Sequence, residues 1–99
     1  MQFNKGLLNQ VQNMMNKMQQ EMGQMKFEGT AGNGKVKVVC NGLQEILSVK
    51  IDPELLKEEA TLLEDLIVVA TNDALNKSKE AGNNAVAQMM ANMNLPNIF

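Results

Sequence analysis

The sequence predicts an α+β fold: a long N-terminal helix, a three-stranded antiparallel sheet, a short helix and a long C-terminal helix. Apolar residues recur at three- and four-residue intervals from Phe3 to Met25, which is the periodicity of an amphipathic helix. Two Asn-Gly pairs, at 33–34 and 41–42, separate stretches of alternating polarity, as in a β-meander. The 99 residues suit a single domain. Its expected parts are a helical arm (1–25), a β-meander (26–51), a helical region (53–93) and a tail (94–99).

The first predicted helix carries a methionine-rich apolar stripe. After Phe3 its members are Leu7, Val11, Met14, Met18, Met22 and Met25. A chain of this length buries only ~65% of the surface that it exposes when unfolded, so a lone protomer has a thin core. Methionine sulfur could bind Cu(I), but the helical spacing and the adaptable shape of methionine favour packing. We therefore assign the stripe to packing and dimerisation against a partner helix.

The middle of the chain predicts three antiparallel strands. Asn33-Gly34 is a strong hairpin signal, because both central residues of a type I′ turn take positive φ. Asn41-Gly42 opens a second turn into a strand at 45–51. Alternation places one apolar set on a buried face: Val36, Val38, Cys40, Leu47, Val49 and Ile51. The other face carries Lys35, Lys37 and Lys50. These lysines could form a basic strip, but solvated lysines that discourage edge pairing are the simpler interpretation.

Two helix starts follow the sheet. Asp52-Pro53-Glu54 has the pattern of an N-cap and a proline at the first helical position, and it predicts a short helix ending at Glu59. Thr61 and Glu64 match a capping box at the start of a long helix. Its first turns are expected to bury Leu62, Leu63, Leu66, Ile67 and Val69. The inward face then shrinks to small residues that permit close helix approach: Ala70, Ala74, Ser78, Ala81 and Ala85.

The composition argues against several classes of function. Cys40 is the only cysteine and the chain has no histidine, which excludes an intrachain disulfide, a zinc site and histidine-based catalysis within one chain. We expect Cys40 to be a buried, inert thiol. We interpret the acids between Glu54 and Asp65 as residues that favour helix starts, rather than as a magnesium site. No apolar run exceeds five residues and the N-terminus lacks the features of a secretory signal, so we expect a soluble, cytoplasmic protein.

Charge is divided unevenly along the chain. Residues 1–50 hold six lysines and three glutamates, a balance of +3, whereas residues 51–99 hold three lysines and eight acids, a balance of -5. The chain has no arginine, so the bidentate reading of guanine by arginine is excluded, and lysine contacts to phosphate would tolerate most sequences. Three phenylalanines are the only aromatic residues, which argues against stacking on single-stranded nucleic acid.

Several segments, taken in order, resemble one family. They are the Met- and Gln-rich first helix, the Gly-Asn-Gly hairpin, LysValLysVal at 35–38, LysIleAspProGluLeuLeu at 50–56, LeuGluAspLeuIle at 63–67, AsnAspAlaLeuAsnLys at 72–77 and MetAsnLeuPro at 93–96. Over essentially its whole length the chain resembles the YbaB/EbfC nucleoid-associated proteins. The resemblance implies an intertwined homodimer whose helices protrude like the arms of tweezers. It also implies duplex DNA binding in the nucleoid, with a role in nucleoid organisation or gene regulation, and no catalytic residues.

The resemblance further implies that the outer helices touch DNA. The lysines that could do so are Lys5 and Lys17 on the first helix and Lys77 and Lys79 on the last. The expected partners are a second copy of the chain and double-stranded DNA, with no membrane, small-molecule substrate, cofactor or metal. The alternative is a protein-interaction scaffold whose methionine-lined arms grip another protein's helix, which the nearly neutral arms and the overall acidity support.

Overall fold

The computed structural model describes residues 5–92, except the side chains of Met89 and Asn92. Its elements are helix α1 (Lys5–Gln24), strands β1 (Lys26–Ala31), β2 (Val36–Asn41) and β3 (Ile46–Ile51), a short 3-10 helix (Pro53–Lys57) and helix α2 (Ala60–Asn92). This order confirms the predicted α+β fold. The expected helix start at Phe3 and the tail 94–99 lie outside the described residues.

The strands form one antiparallel sheet in the order β1-β2-β3. The turn between β1 and β2 is closed by a hydrogen bond from the Lys35 N–H to the Gly32 carbonyl at 3.2 Å. Its central residues, Asn33 and Gly34, have φ of 58° and 83°. Both values are positive, as a type I′ hairpin requires, and the predicted hairpin is confirmed.

The second turn begins at Asn41 as predicted, but its positive φ, 63°, falls on Gln44 instead of Gly42. The Asn41 side chain shapes this turn, because its Oδ1 accepts the N–H groups of Leu43 and Glu45 at 2.9 and 3.0 Å. Gly42 has another reason to be glycine. Its N–H donates to the Met22 carbonyl at 2.8 Å, and a Cβ would lie 2.6 Å from that oxygen. The turn can therefore press against the end of α1.

The core lies between α2 and the first two strands. Val36, Val38 and Cys40 are fully buried, as the alternation predicts. The expected burial on β3 is wrong for Leu47 and Val49 in the single chain, which remain 50% and 44% exposed, whereas Ile51 is half-buried against the core. Helix α2 packs mainly across β1 and β2, so most of the inner face of β3 is left uncovered. A bulge next to Val39 also pairs Cys40 with Ile46, which displaces Leu47 from the predicted register.

The small residues of α2 allow a close approach, but their neighbour is a strand and not another helix. Ala70, Ala74 and Ser78 are buried beneath the sheet, and Ser78 donates to the Asn41 carbonyl at 2.9 Å. At Gly29 of β1 a Cβ would overlap the Ala70 carbonyl oxygen and lie 2.9 Å from the Ala74 Cα. Glycine in the strand and small residues in the helix are therefore both needed for β1 and α2 to pack this closely.

The start of α2 differs from the predicted one. The helix begins at Ala60, so Thr61 lies inside its first turn and the capping box does not form. The Glu59 carbonyl instead accepts the Leu62 N–H at 3.1 Å. Leu62 is 44% exposed and Val69 is 56% exposed, contrary to expectation, because they lie outside the face that meets the sheet. The other predicted large residues, Leu63, Leu66 and Ile67, are half-buried.

The 3-10 helix starts as the sequence predicts. Asp52 caps it, with its Oδ1 accepting the Glu54 N–H at 2.9 Å. It ends at Lys57, two residues before the expected end.

Candidate nucleic-acid interface

Helix α1 buries no residue in its own chain. Leu7, Val11 and Met14 are 55%, 47% and 55% exposed. Farther along the stripe, Met18 and Met22 are half-buried, and Met25 after the helix is exposed. Contiguous apolar surface of this kind marks an interaction site on a soluble protein. The assignment of this stripe to dimerisation stays a prediction.

The second half of α1 forms an open groove of about 430 Å³ that reaches Ala85 of α2. It is lined by Met14, Lys17, Met18, Glu21, Met22, Met25 and Ala85. The four methionines belong to the α1 stripe, so the groove continues that surface. Its polar lining consists of one lysine and one glutamate, which leaves it without net charge. Within residues 5–92 no cluster of three or more His, Cys, Asp or Glu side chains could hold a metal ion.

The four candidate DNA-binding lysines differ in their surroundings. Lys5, Lys17 and Lys79 are exposed, and none forms an ion pair with another described residue. Lys77 is also exposed, but its ammonium group is engaged: its Nζ donates to the Glu28 carbonyl at 2.9 Å and lies 3.4 Å from Asp73 Oδ2. At 1.5 Å per residue Lys5 and Lys17 are about 18 Å apart along α1, so they would meet different phosphates.

Asp73 links α2 to strand β1 through a hydrogen bond. Its Oδ2 accepts the Thr30 N–H at 3.1 Å and pairs with Lys77 one helical turn away. The hydrogen bond from Thr30 lowers the pKa of the Asp73 carboxyl, and the hydrogen bond and charge of Lys77 lower it further. Partial desolvation raises this pKa but does not outweigh them. Asp73 therefore fixes the strand that Lys77 also contacts.

Replacing Asp73 with asparagine is expected to lower the urea midpoint of unfolding at neutral pH by a small amount. Because the folded-state pKa is lowered, the ionised carboxylate stabilises the fold above the unfolded pKa of ~3.9, and this contribution is lost as pH falls through the folded value. The difference between wild type and D73N should thus close in acid. Urea titrations at several pH values check this, with E80Q as a control on the same helix. A gap that persists unchanged at low pH contradicts the assignment.

Cys40 is buried beside α2, and its Sγ donates to the Ala74 carbonyl at 3.3 Å. Burial raises the pKa of the Cys40 thiol, while a hydrogen bond with Ser78 acts in the opposite direction. The reactive thiolate is disfavoured at neutral pH. The predicted buried thiol is confirmed.

Comparison with known proteins decides the family. The model of the YbaB/EbfC DNA-binding family matches residues 1–93, from the helical arm to beyond the end of α2. This chain belongs to the YbaB/EbfC DNA-binding family. The resemblance seen in the sequence is confirmed, and it extends over almost the whole of this YbaB/EbfC chain.

Individual relatives agree with the YbaB/EbfC assignment. A nucleoid-associated protein of Bacillus cytotoxicus is 44% identical over 81 residues, which cover 81% of this chain and 74% of the relative. A nucleoid-associated protein of Pelotomaculum thermopropionicum is 39% identical over 97 residues, covering 94% of this chain and 92% of the relative. The crystal structure of an uncharacterized protein from Helicobacter pylori matches with a TM-score of 0.79 at 25% identity, covering 91% of this chain and 98% of that one.

Three positioning contacts of this YbaB/EbfC chain were missed from the sequence. They are the approach of Gly42 to α1, the approach of Gly29 to α2 and the bond between Asp73 and Thr30. Each depends on where a distant helix crosses, and no local pattern signals it. Among residues 5–92, no helix is long and apolar enough to cross a membrane.

Proposed function

We propose that this YbaB/EbfC protein is a cytoplasmic homodimer that binds duplex DNA through phosphate contacts and with little sequence preference. In the nucleoid it would help to organise DNA and to regulate genes. The observation that carries the proposal is the exposed apolar stripe of α1, because a 20-residue helix without a buried residue needs a partner surface. A second copy offers the same stripe, as a two-fold interface requires.

The DNA contacts of this proposal come from lysines that the fold leaves unengaged. Lys5 and Lys17 project from α1, and Lys79 projects from α2. Two-fold symmetry doubles each of them, so a dimer offers separated charges along its arms. Lys77 would first have to leave Asp73, and we rank it below the others. With lysine and no arginine the contacts are point charges toward phosphate, which supports sequence-tolerant binding.

Duplex binding by the wild type is expected to weaken steeply with salt. Two copies of the four candidate lysines give eight charges, and if about four displace counterions, log K falls against log salt with a slope near ~-3.6. Nonspecific Kd should be roughly 10⁻⁴ to 10⁻⁶ M at physiological salt. Mobility-shift titrations from about 50 to 200 mM salt measure both quantities.

The double variant K5Q/K17Q should flatten this slope by about half or more, since it removes four charges from each dimer. The single variants K17Q and K77Q each remove two charges from a dimer, and K77Q should change the slope less than K17Q because Lys77 is held by Asp73 and the Glu28 carbonyl. A salt-independent affinity, or a wild type that shifts no duplex at low salt, refutes the phosphate-contact mechanism.

A second candidate is a protein-interaction scaffold, and the methionine-lined groove between α1 and α2 favours it. The groove has no net charge in its lining, so an apolar helix would suit it better than a phosphate backbone. The mobility shift separates the two functions: absence of any shift at low salt would make the scaffold the better account.

A further inference from the structure

Two lysines face each other on the outer side of the sheet. Lys37 of β2 lies directly opposite Lys50 of β3, and both are exposed. Like charges at directly opposed positions destabilise an antiparallel sheet. Neither lysine forms an ion pair with a described residue, whereas the neighbouring Lys35 pairs with Glu54 at 3.3 Å. Among the described residues, Lys37 and Lys50 thus have no ion-pair partner; Glu28 shares their face but is not within ion-pair distance.

Two acids close to the pair are already engaged. A shallow cleft of about 230 Å³ there is lined by Gly34, Lys35, Lys37, Lys50, Ile51 and Asp52. Asp52 accepts the Glu54 N–H at 2.9 Å as the cap of the 3-10 helix, and Glu54 is held by Lys35. Neither acid comes within ion-pair distance of Lys37 or Lys50. An anion entering this cleft would meet two free ammonium groups.

Protection of the sheet edge explains only half of this arrangement. Lys50 lies on β3, an edge strand, where a lysine discourages unwanted strand pairing. Lys37 lies on β2, the central strand, which has neighbours on both sides and needs no such protection. Solvation of the open face accounts for a lysine on β2, but not for its place directly opposite a second lysine, which destabilises the sheet.

We propose that Lys37 and Lys50 form a binding site for a phosphate oxyanion of a nucleic-acid backbone. Directly opposed residues of an antiparallel pair have Cβ atoms about 4.5–5.5 Å apart, so two flexible ammonium groups can converge on one phosphate. The site extends the proposed function and rests on it. Helix α2, with Lys79, packs on the opposite face of the sheet, and the end of α1 lies beside it, since Met22 Cε is 3.7 Å from where a Cβ of Gly82 would lie. A duplex at the lysine pair is therefore not a duplex held by these helices. One dimer would therefore bridge two duplex segments.

A bridging assay tests this site. One duplex is fixed to beads, a labelled second duplex is added, and its capture is measured with wild type, K37Q/K50Q and K26Q/K57Q. The two variants carry the same net charge, and K26Q/K57Q leaves the pair intact. We expect K37Q/K50Q to capture roughly tenfold less second duplex while its affinity for a single duplex in a mobility shift changes by less than about threefold. K26Q/K57Q should bridge as the wild type does.

The outcomes separate this inference from the function on which it rests. Equal bridging by wild type and K37Q/K50Q, or a wild type that binds one duplex without bridging, overturns the lysine-pair site and leaves the proposed function standing. A wild type that binds no duplex overturns both. Amide chemical shifts of residues 37 and 50 distinguish the source of the phosphate. Movement on adding a short duplex supports the site, whereas saturable movement only with inorganic phosphate overturns the nucleic-acid assignment.

Discussion

Replacing Val11 with glutamate is expected to convert the proposed dimer to a monomer and to weaken duplex binding by more than about tenfold. Val11 lies at the centre of the exposed α1 stripe, between Leu7 and Met14. In a dimer interface the new carboxylate would be buried without a partner, which costs several kcal/mol per site, and the symmetry applies this cost twice. Light scattering at micromolar concentration measures the mass against the 10.9 kDa of one chain.

The matched control for this variant is Gln20→Glu. Gln20 lies on the opposite side of α1, where the same charge should leave the mass unchanged. Both substitutions introduce a good helix former, so a difference between them reports position and not helix propensity. A wild type that is already a compact monomer, or a V11E variant that keeps the mass of two chains, would show that the stripe is not the dimer interface.

Replacing Gly29 with alanine is expected to destabilise the fold by about 1–3 kcal/mol, the usual range for overpacking in a core. The new methyl group would overlap the Ala70 carbonyl oxygen and crowd the Ala74 backbone, and helix backbone cannot move aside as a flexible side chain can. Urea unfolding followed by circular dichroism measures the loss. With a slope of about 1–3 kcal/mol per molar urea, the midpoint should fall by roughly 1 M.

Gly23→Ala is the control for G29A, because it makes the same substitution where a Cβ fits. Gly23 lies inside α1, and the nearest atom to a Cβ there is Leu43 Cδ1 at 3.5 Å, an ordinary contact. Alanine at a helical position is favoured over glycine by roughly 0.5–1 kcal/mol, so this variant should be at least as stable as the wild type. If G29A unfolds at the wild-type midpoint, the close approach of β1 to α2 is not as the structure describes it.

Features that a few neighbouring residues determine were predicted well. The hairpin at Asn33-Gly34 and the cap at Asp52 each depend on backbone preferences and on one or two local hydrogen bonds. Burial on β3 was predicted poorly, because it depends on which strands α2 crosses and on the bulge beside Val39. The alternation of polarity shows that strand residues share a face, but it does not say what covers that face.

The candidate site divides in the same way. The positions of Lys5 and Lys17 on an exposed helix follow from the period of the apolar stripe. The internal bonds of Lys77 do not follow from any local pattern, because the lysine meets the Glu28 carbonyl across 49 residues of sequence. The contrast between Lys37 and the edge residue Lys50 depends on the strand order, which no local pattern determines.

Because no residue of α1 is fully buried within its own chain, the helix needs contacts from outside that chain to stay ordered. An isolated helix of its length is only marginally stable in water. In a separated subunit α1 would therefore unfold and refold far more often than the sheet does. Association of two chains would then also fold their α1 helices, so that folding of this helix and dimerisation would be coupled. By mass action, the fraction of chains with a folded α1 would then increase with the concentration of the protein in the cell.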